Sequence, residues 1–165
     1  MQTDASCNEH VLQENCTQYL IAATQDVFAS MIFMDIEPGE PLTGSDIRFQ
    51  TSLSSMIGLA GDLRGLVAVH CTREAALGIT SSMLGMDVEE LDDDVKDAIG
   101  EIANMVAGGM KVSLADHNVK IDLAIPSTAV GKSIRVSSLS KGNRVLVPFT
   151  TSAGTFGVEL QYIFA

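Results

Sequence analysis

The sequence predicts an α/β protein of the α+β type, a mixed and largely antiparallel sheet packed by long helices, and three patterns support it. Two stretches, Asn8–Met34 and Leu91–Ala115, repeat apolar residues at three- and four-residue steps, the period of an amphipathic helix. Two pairs of alternating runs meet at Gly61-Asp62 and at Ala153-Gly154, turn sequences that join antiparallel strands. The two hairpins also echo one another, Gly61-Asp-Leu-Arg-Gly65-Leu-Val against Gly154-Thr-Phe-Gly157-Val-Glu-Leu, and a long helix precedes each; this reads as an αββ unit present twice.

Composition sets the outer bounds. The 165 residues fit a single domain over 1–165, large enough to bury a core without disulfides, and 46% of them are hydrophobic. No apolar run approaches the roughly 20 residues of a membrane span, and MQTDASCNEH lacks a basic region followed by an apolar one, so a soluble cytoplasmic protein with no membrane partner is expected. Cys7, Cys16 and Cys71 are odd in number and lack CxxC spacing, which points to free thiols rather than a disulfide framework or zinc site. The pair His70-Cys71 reads as packing at a strand end, not metal ligation. A net charge of −11 disfavours nucleic acid or an anionic membrane and suits a docking partner that carries Lys or Arg.

In chain order, Leu12, Cys16, Tyr19, Leu20, Ala23, Val27 and Met31 form the apolar stripe of the first helix, which Pro38, Gly39 and Pro41 end. Phe49, Thr51, Leu53, Ser55, Ile57 and Leu59 mark one face of a strand, and Leu63, Val67 and Val69 lie on its hairpin partner. Thr72 opens a short helix with Glu74 in its first turn, and Gly85 closes it. After the central helix, Val119, Ile121, Leu123 and Ile125 predict a half-buried strand; further strands are expected at 130–136 and 144–150. Pro148 lacks an amide hydrogen, so its strand should be an edge or carry a bulge. The last strand, through Phe156, Val158, Leu160 and Tyr162, is apolar enough that it or its neighbour is expected to pair with another subunit. Gly131-Lys132-Ser133 imitates the end of a phosphate-binding loop, but the position of the required first glycine is Pro126 and strand rather than helix follows.

Leu91–Ala115 carries the chemistry. At about 100° per residue Val95, Ala98, Ile99, Ile102, Val106 and Met110 share one stripe, while Asp97, Glu101, Asn104, Gly108 and Lys111 share the opposite one. Asp92, Asp93 and Asp94 supply cap oxygens and negative charge at the positive end of the helix dipole. Glu101 and Asn104, three positions apart, project side by side from neighbouring turns, so a carboxylate and a carboxamide are offered together. Asn104 and three glycines, Gly100, Gly108 and Gly109, lower helix propensity inside this element, which calls for a reason other than propensity. An ordinary solvated face with glycines used for helix packing is the bland alternative.

The run from Asp97 to Met110, with Glu101-x-x-Asn104-x-x-x-Gly108 as its specific part, resembles the CheX branch of the CheC/CheX/FliY family of chemotaxis phosphatases; the acidic loop before it and the Ile125-Pro126 strand end after it fit as well. The resemblance implies a CheC/CheX-like fold, homodimerisation through the sheet, and hydrolysis of the aspartyl phosphate on a CheY-like response regulator. It implies Glu101 and Asn104 as the catalytic pair, Asn104 orienting water and Glu101 meeting the receiver lysine. Asp97, Gly108 and Lys111, on the same face, are assigned to partner contact, and Asp97 receives no catalytic role. CheC-like members carry the motif twice, whereas this chain has one copy, and its first helix shows no motif residues. No metal or cofactor of its own is implied, Mg²⁺ belonging to the receiver. A non-catalytic adaptor that holds a receiver or a flagellar switch component is the competing reading, and an adaptor does not require the intact Glu101 and Asn104 pair. A small-ligand sensor has only the mixed apolar sheet in its favour.

Overall fold

A computed structural model describes residues 3–44, 47–131 and 142–164. Helix α1 spans Thr3–Val27 and continues as a π-helical turn, Phe28–Ile32. Phe33 closes that turn with a left-handed backbone (φ 58°), and its amide N–H donates to the Phe28 carbonyl at 2.7 Å. The apolar period thus marks the helix but not the widened last turn, which seats the Phe28 ring on Phe156 at a centroid distance of 4.9 Å.

Two short strands follow, β1 (Glu37–Pro38) and β2 (Leu42–Thr43), where the sequence suggested only a helix end. Strands β3 (Leu53–Gly61) and β4 (Leu63–Cys71) form the first hairpin, with Gly61 at φ 110° in the tight turn. Helix α2 (Arg73–Leu84) has the expected caps: the Thr72 hydroxyl accepts from the Ala75 amide, and Gly85 is left-handed at φ 67°. Helix α3 (Asp93–Ala115) follows, then β5 (Ile121–Leu123), β6 (Ser127–Val130), β7 (Asn143–Thr150) and β8 (Thr155–Phe164). The strand expected at 130–136 overlaps β6, which begins three residues earlier, at Ser127; beyond Gly131 that expectation, like Lys132 and Ser133, lies outside the described residues.

Every pairing in the sheet is antiparallel. Its four long strands lie in the order β7-β8-β4-β3, with β1 and β2 on the outer side of β7 and β5 and β6 on the outer side of β3. The layout therefore repeats: a long helix, two short strands and a long hairpin occur twice, and each pair of short strands flanks the other half's hairpin. This corrects the expectation that β8 could pair with another subunit. β8 is paired along its length on both sides, from Leu63↔Phe164 to Cys71↔Phe156 and from Asn143↔Tyr162 to Thr150↔Thr155, and β7 is flanked on its outer side by β1 and β2.

Pro148 sits between the β7 residues that pair with β2 and those that pair with β1, and its carbonyl accepts from the Gly39 amide at 2.7 Å. A strand residue's own N and C=O point to the same side, so the missing amide hydrogen falls on the sparsely covered outer edge and costs the β7–β8 ladder nothing. The helices cover one sheet face. Leu53, Ile57, Val67, Val147, Val158 and Leu160 on the strands are buried together with Val95, Ile99, Ile102, Val106 and Met110 of α3. Ile125 is corrected too: β5 ends at Leu123, and Ile125 is 89% exposed.

Candidate functional site

The site is the outer face of α3, and its precision comes from how firmly the inner face is held. Asp92 caps the helix, its carboxylate accepting from the Val95 amide at 3.1 Å. From there the stripe named from the sequence is buried throughout, Val95, Ile99, Ile102, Val106 and Met110 at 0% exposure and Ala98 at 6%. One hundred degrees per residue then fixes what faces solvent: Asp97, Glu101, Asn104 and Lys111 are all exposed, and Gly108 is half-buried. Glu101 and Asn104 stand on consecutive turns. Lys111 lies seven residues past Asn104, about 10 Å along the axis, so it marks the far end of the face rather than the pair itself.

The glycines divide into two kinds. A Cβ on Gly109 would lie 2.9 Å from the Ala23 Cβ, so this residue lets α1 and α3 approach. Beyond it, Tyr19 Oη lies 2.6 Å from His117 Nε2 across the same helix pair. A Cβ on Gly100 would touch Ser55 Oγ and Thr128 Oγ1 at 3.6 Å and Pro126 Cβ at 3.8 Å, an ordinary fit against β3 and the β5–β6 connector. On Gly108 a Cβ would meet nothing within 4 Å. No internal packing therefore explains Gly108, and the bare backbone there is open to another molecule.

A carboxylate and a carboxamide on a rigid exposed face can accept, donate and orient. Neither is ion-paired on α3: the only ion pair of the helix among the described residues joins Lys96 to Asp93 at 3.7 Å in its first turn. Among those residues no group of three or more His, Cys, Asp or Glu is arranged to hold a metal ion.

A second polar cluster escaped the sequence reading. On the sheet face away from the core stripe, Ser54 Oγ lies 2.6 Å from His70 Nδ1, and His70 Nε2 lies 2.8 Å from Glu159 Oε1. Arg144 Nε and Gln161 Nε2 donate to the other Glu159 oxygen. Burial pushes the Glu159 carboxyl up, but the hydrogen bonds and charges of His70 and Arg144 outweigh it and hold the group below its usual value. The serine, histidine and carboxylate order imitates a nucleophilic relay. However, Ser54 and Glu159 are 0% exposed and His70 4%, so no substrate reaches it. The cluster ties β3, β4, β8 and β7 together across their registers. Glu159 and Gln161, alternating with Val158 and Leu160, were its visible signal: polar residues on a strand buried on both faces must be paired. The thiols of Cys16 and Cys71 are free and buried, as the cysteine pattern led one to expect, and burial raises them to about 11 and about 12.

The family model for chemotaxis phosphatase CheX matches residues 53–150, which include α3 and most of the sheet. The chain belongs to the CheX family. Over 120 residues, 72% of this chain and 77% of the relative, it is 29% identical to the CheY-P phosphatase CheX of Thermotoga maritima. A CheC-like superfamily protein from a Shewanella species (PV-4) has a structure that superposes with a TM-score of 0.84 at 29% identity, covering 89% of this chain and 96% of that one. The CheX of a CheX–CheY–BeF₃–Mg²⁺ complex from Borrelia burgdorferi, 22% identical over 88% of this chain and 96% of its own, shares the fold with a TM-score of 0.75. The α+β architecture and the resemblance of the chain to the CheC/CheX family are thus both borne out.

Proposed function

We propose that this chain hydrolyses the aspartyl phosphate of a CheY-like response regulator, with Asn104 aiming the attacking water and Glu101 docking on the receiver's lysine. The carrying observation is that Glu101 and Asn104 stand exposed on consecutive turns of a helix whose opposite stripe is fully buried. Membership of the CheX family and the activity named for the Thermotoga relative support it.

The chemistry asks little of the enzyme. An acyl phosphate is labile, and Mg²⁺ held by the receiver's own carboxylates would neutralise the charge on the phosphoryl and leaving-group oxygens. What remains is to hold one water in line. The Asn104 carboxamide can accept from that water and donate to a phosphoryl oxygen, which fixes its orientation without removing a proton. The Glu101 carboxylate, closed against a lysine, makes a charge-assisted hydrogen bond worth about 1.5 to 3 kcal/mol, well above an exposed pair. Gly108 lets a receiver loop lie against the helix, and Asp97 and Lys111 bracket the contact at its two ends. On this reading the chain needs no metal of its own and acts in the cytoplasm.

The reading includes a homodimer through the sheet. Because β8 is central, strand pairing between copies falls to the short outer pieces, β1–β2 or β5–β6. The deciding experiment follows decay of a phosphorylated receiver with and without this protein. Faster decay that Asn104→Ala removes is the expected result, and measurable binding with unaltered decay would leave an adaptor in place of an enzyme.

A further inference from the structure

The β5–β6 connector, Ala124 to Pro126, borders the α3 site and is held at every side but one. Leu123 pairs with Leu59 and Ser127 with Met56 of β3, and the Ala124 amide donates to the Gly58 carbonyl at 3.0 Å. Thr128 Oγ1 donates to Ser55 Oγ at 3.0 Å, and Pro126 rests against Gly100, the residue immediately before Glu101 and one turn before Asn104. On this fixed support Ile125 is 89% exposed, more than any other large hydrophobic side chain described. Ala124 beside it and Ala129 and Val130 beyond are exposed as well, while the neighbouring outer face of α3 is charged.

A lone exposed isoleucine is unremarkable on a flexible loop. Here its backbone is anchored on both sides, so ordering it on binding costs little entropy, and its neighbour Pro126 packs at Gly100, the residue before a carboxylate whose pairing strengthens only when water is excluded. We propose that Ile125 is the apolar anchor of the receiver interface, packing against the receiver surface beside the phosphorylation site while Glu101 and Asn104 enter the site itself. The inference rests on the receiver reading given above and names a second contact of the same partner. It divides the face into an anchor that governs affinity and an amide that governs turnover.

The test compares Ile125→Ala and Ile125→Asp with the wild-type chain in hydrolysis of a phosphorylated receiver, in binding of that receiver loaded with beryllofluoride, and in sedimentation. Truncation should raise KM and Kd about tenfold and leave kcat within about twofold, with the aspartate variant worse. The side chain is exposed, so the melting temperature should hold. Unchanged KM and Kd beside normal turnover would overturn the anchor and leave the phosphatase standing, and so would a loss limited to kcat. A sedimentation shift to monomer with KM unchanged would show that a second copy of this chain covers Ile125. A wild-type chain that binds the loaded receiver without hydrolysing any would sink the enzymatic reading alone, since Kd would still report on the anchor. With neither binding nor hydrolysis, both fall.

Discussion

Asn104 and Glu101 sit three residues apart and are given different tasks, so their variants should fail differently. Asn104→Ala is expected to lower turnover of the phosphoreceiver by a factor of at least about 100, of the order seen when a single orienting donor is lost, while receiver binding persists. Glu101→Ala should instead weaken association, by about tenfold for each 1.4 kcal/mol of the lost pair. Gly108 gives a sharper test because fold and function pull in opposite directions there. A Cβ meets nothing within 4 Å, so Gly108→Ala should stabilise the helix by about 1 kcal/mol in thermal or urea unfolding yet impair receiver docking. Raised stability with unchanged turnover would remove Gly108 from the interface. The thiols make a residue-scale prediction of another kind. With Cys16 at about 11 and Cys71 at about 12, both buried, neither should react with a thiol reagent at pH 8 until the chain unfolds.

Close backbone approach and buried charge distinguish the elements. Gly109 on α3 meets Ala23 on α1, so Gly109→Ala should destabilise where Gly108→Ala stabilises, although the two glycines are adjacent. At the β4–β8 seam a Cβ on Gly65 would fall 1.8 Å from the Gln161 carbonyl oxygen, backbone that cannot move aside, and Gly65→Ala is expected to cost about 3 kcal/mol. The same seam carries Glu159. Its carboxyl is held low when folded, so the stability it contributes is present above its unfolded value near 4.5 and is lost as the pH falls through the lower folded value. Glu159→Gln removes the charge facing Arg144 and His70 and should cost about 3 kcal/mol at pH 7. Its unfolding free energy should also depend less steeply on pH below about 4.5 than that of the wild type. Equal acid sensitivity of the two chains would show that the cluster does not set it.

For the molecule as a whole, the layout of helix, short strands and hairpin is repeated, but the candidate chemistry is not. Both long helices pack against the sheet and each other, yet only α3 carries the Glu101 and Asn104 pair. One docked receiver per chain is therefore the expected stoichiometry in a titration with beryllofluoride-loaded receiver, whether the chain is alone or paired. A second equivalent site would contradict it.

Periodicity, with the Thr72 and Gly85 end signals and the two glycine turns, placed α2, α3 and the two hairpins, and periodicity by itself placed Asp97, Glu101, Asn104 and Lys111 in solvent. A stripe of apolar residues at 3.6-residue spacing fixes which side of a helix turns inward, whatever it packs on. Strand order was beyond it, because alternation tells which face of a strand is buried and says nothing about which neighbour it pairs with. Hence β8 or its neighbour looked open to another subunit and β8 proved central, Ile125 looked buried and stands in solvent, and β1 and β2, two residues each, were too short to show any period. The His70 and Glu159 cluster, and the difference between Gly108 and Gly109, were settled only by contacts between elements far apart in sequence. Local spacing carries no trace of those distances, and packing alone creates them.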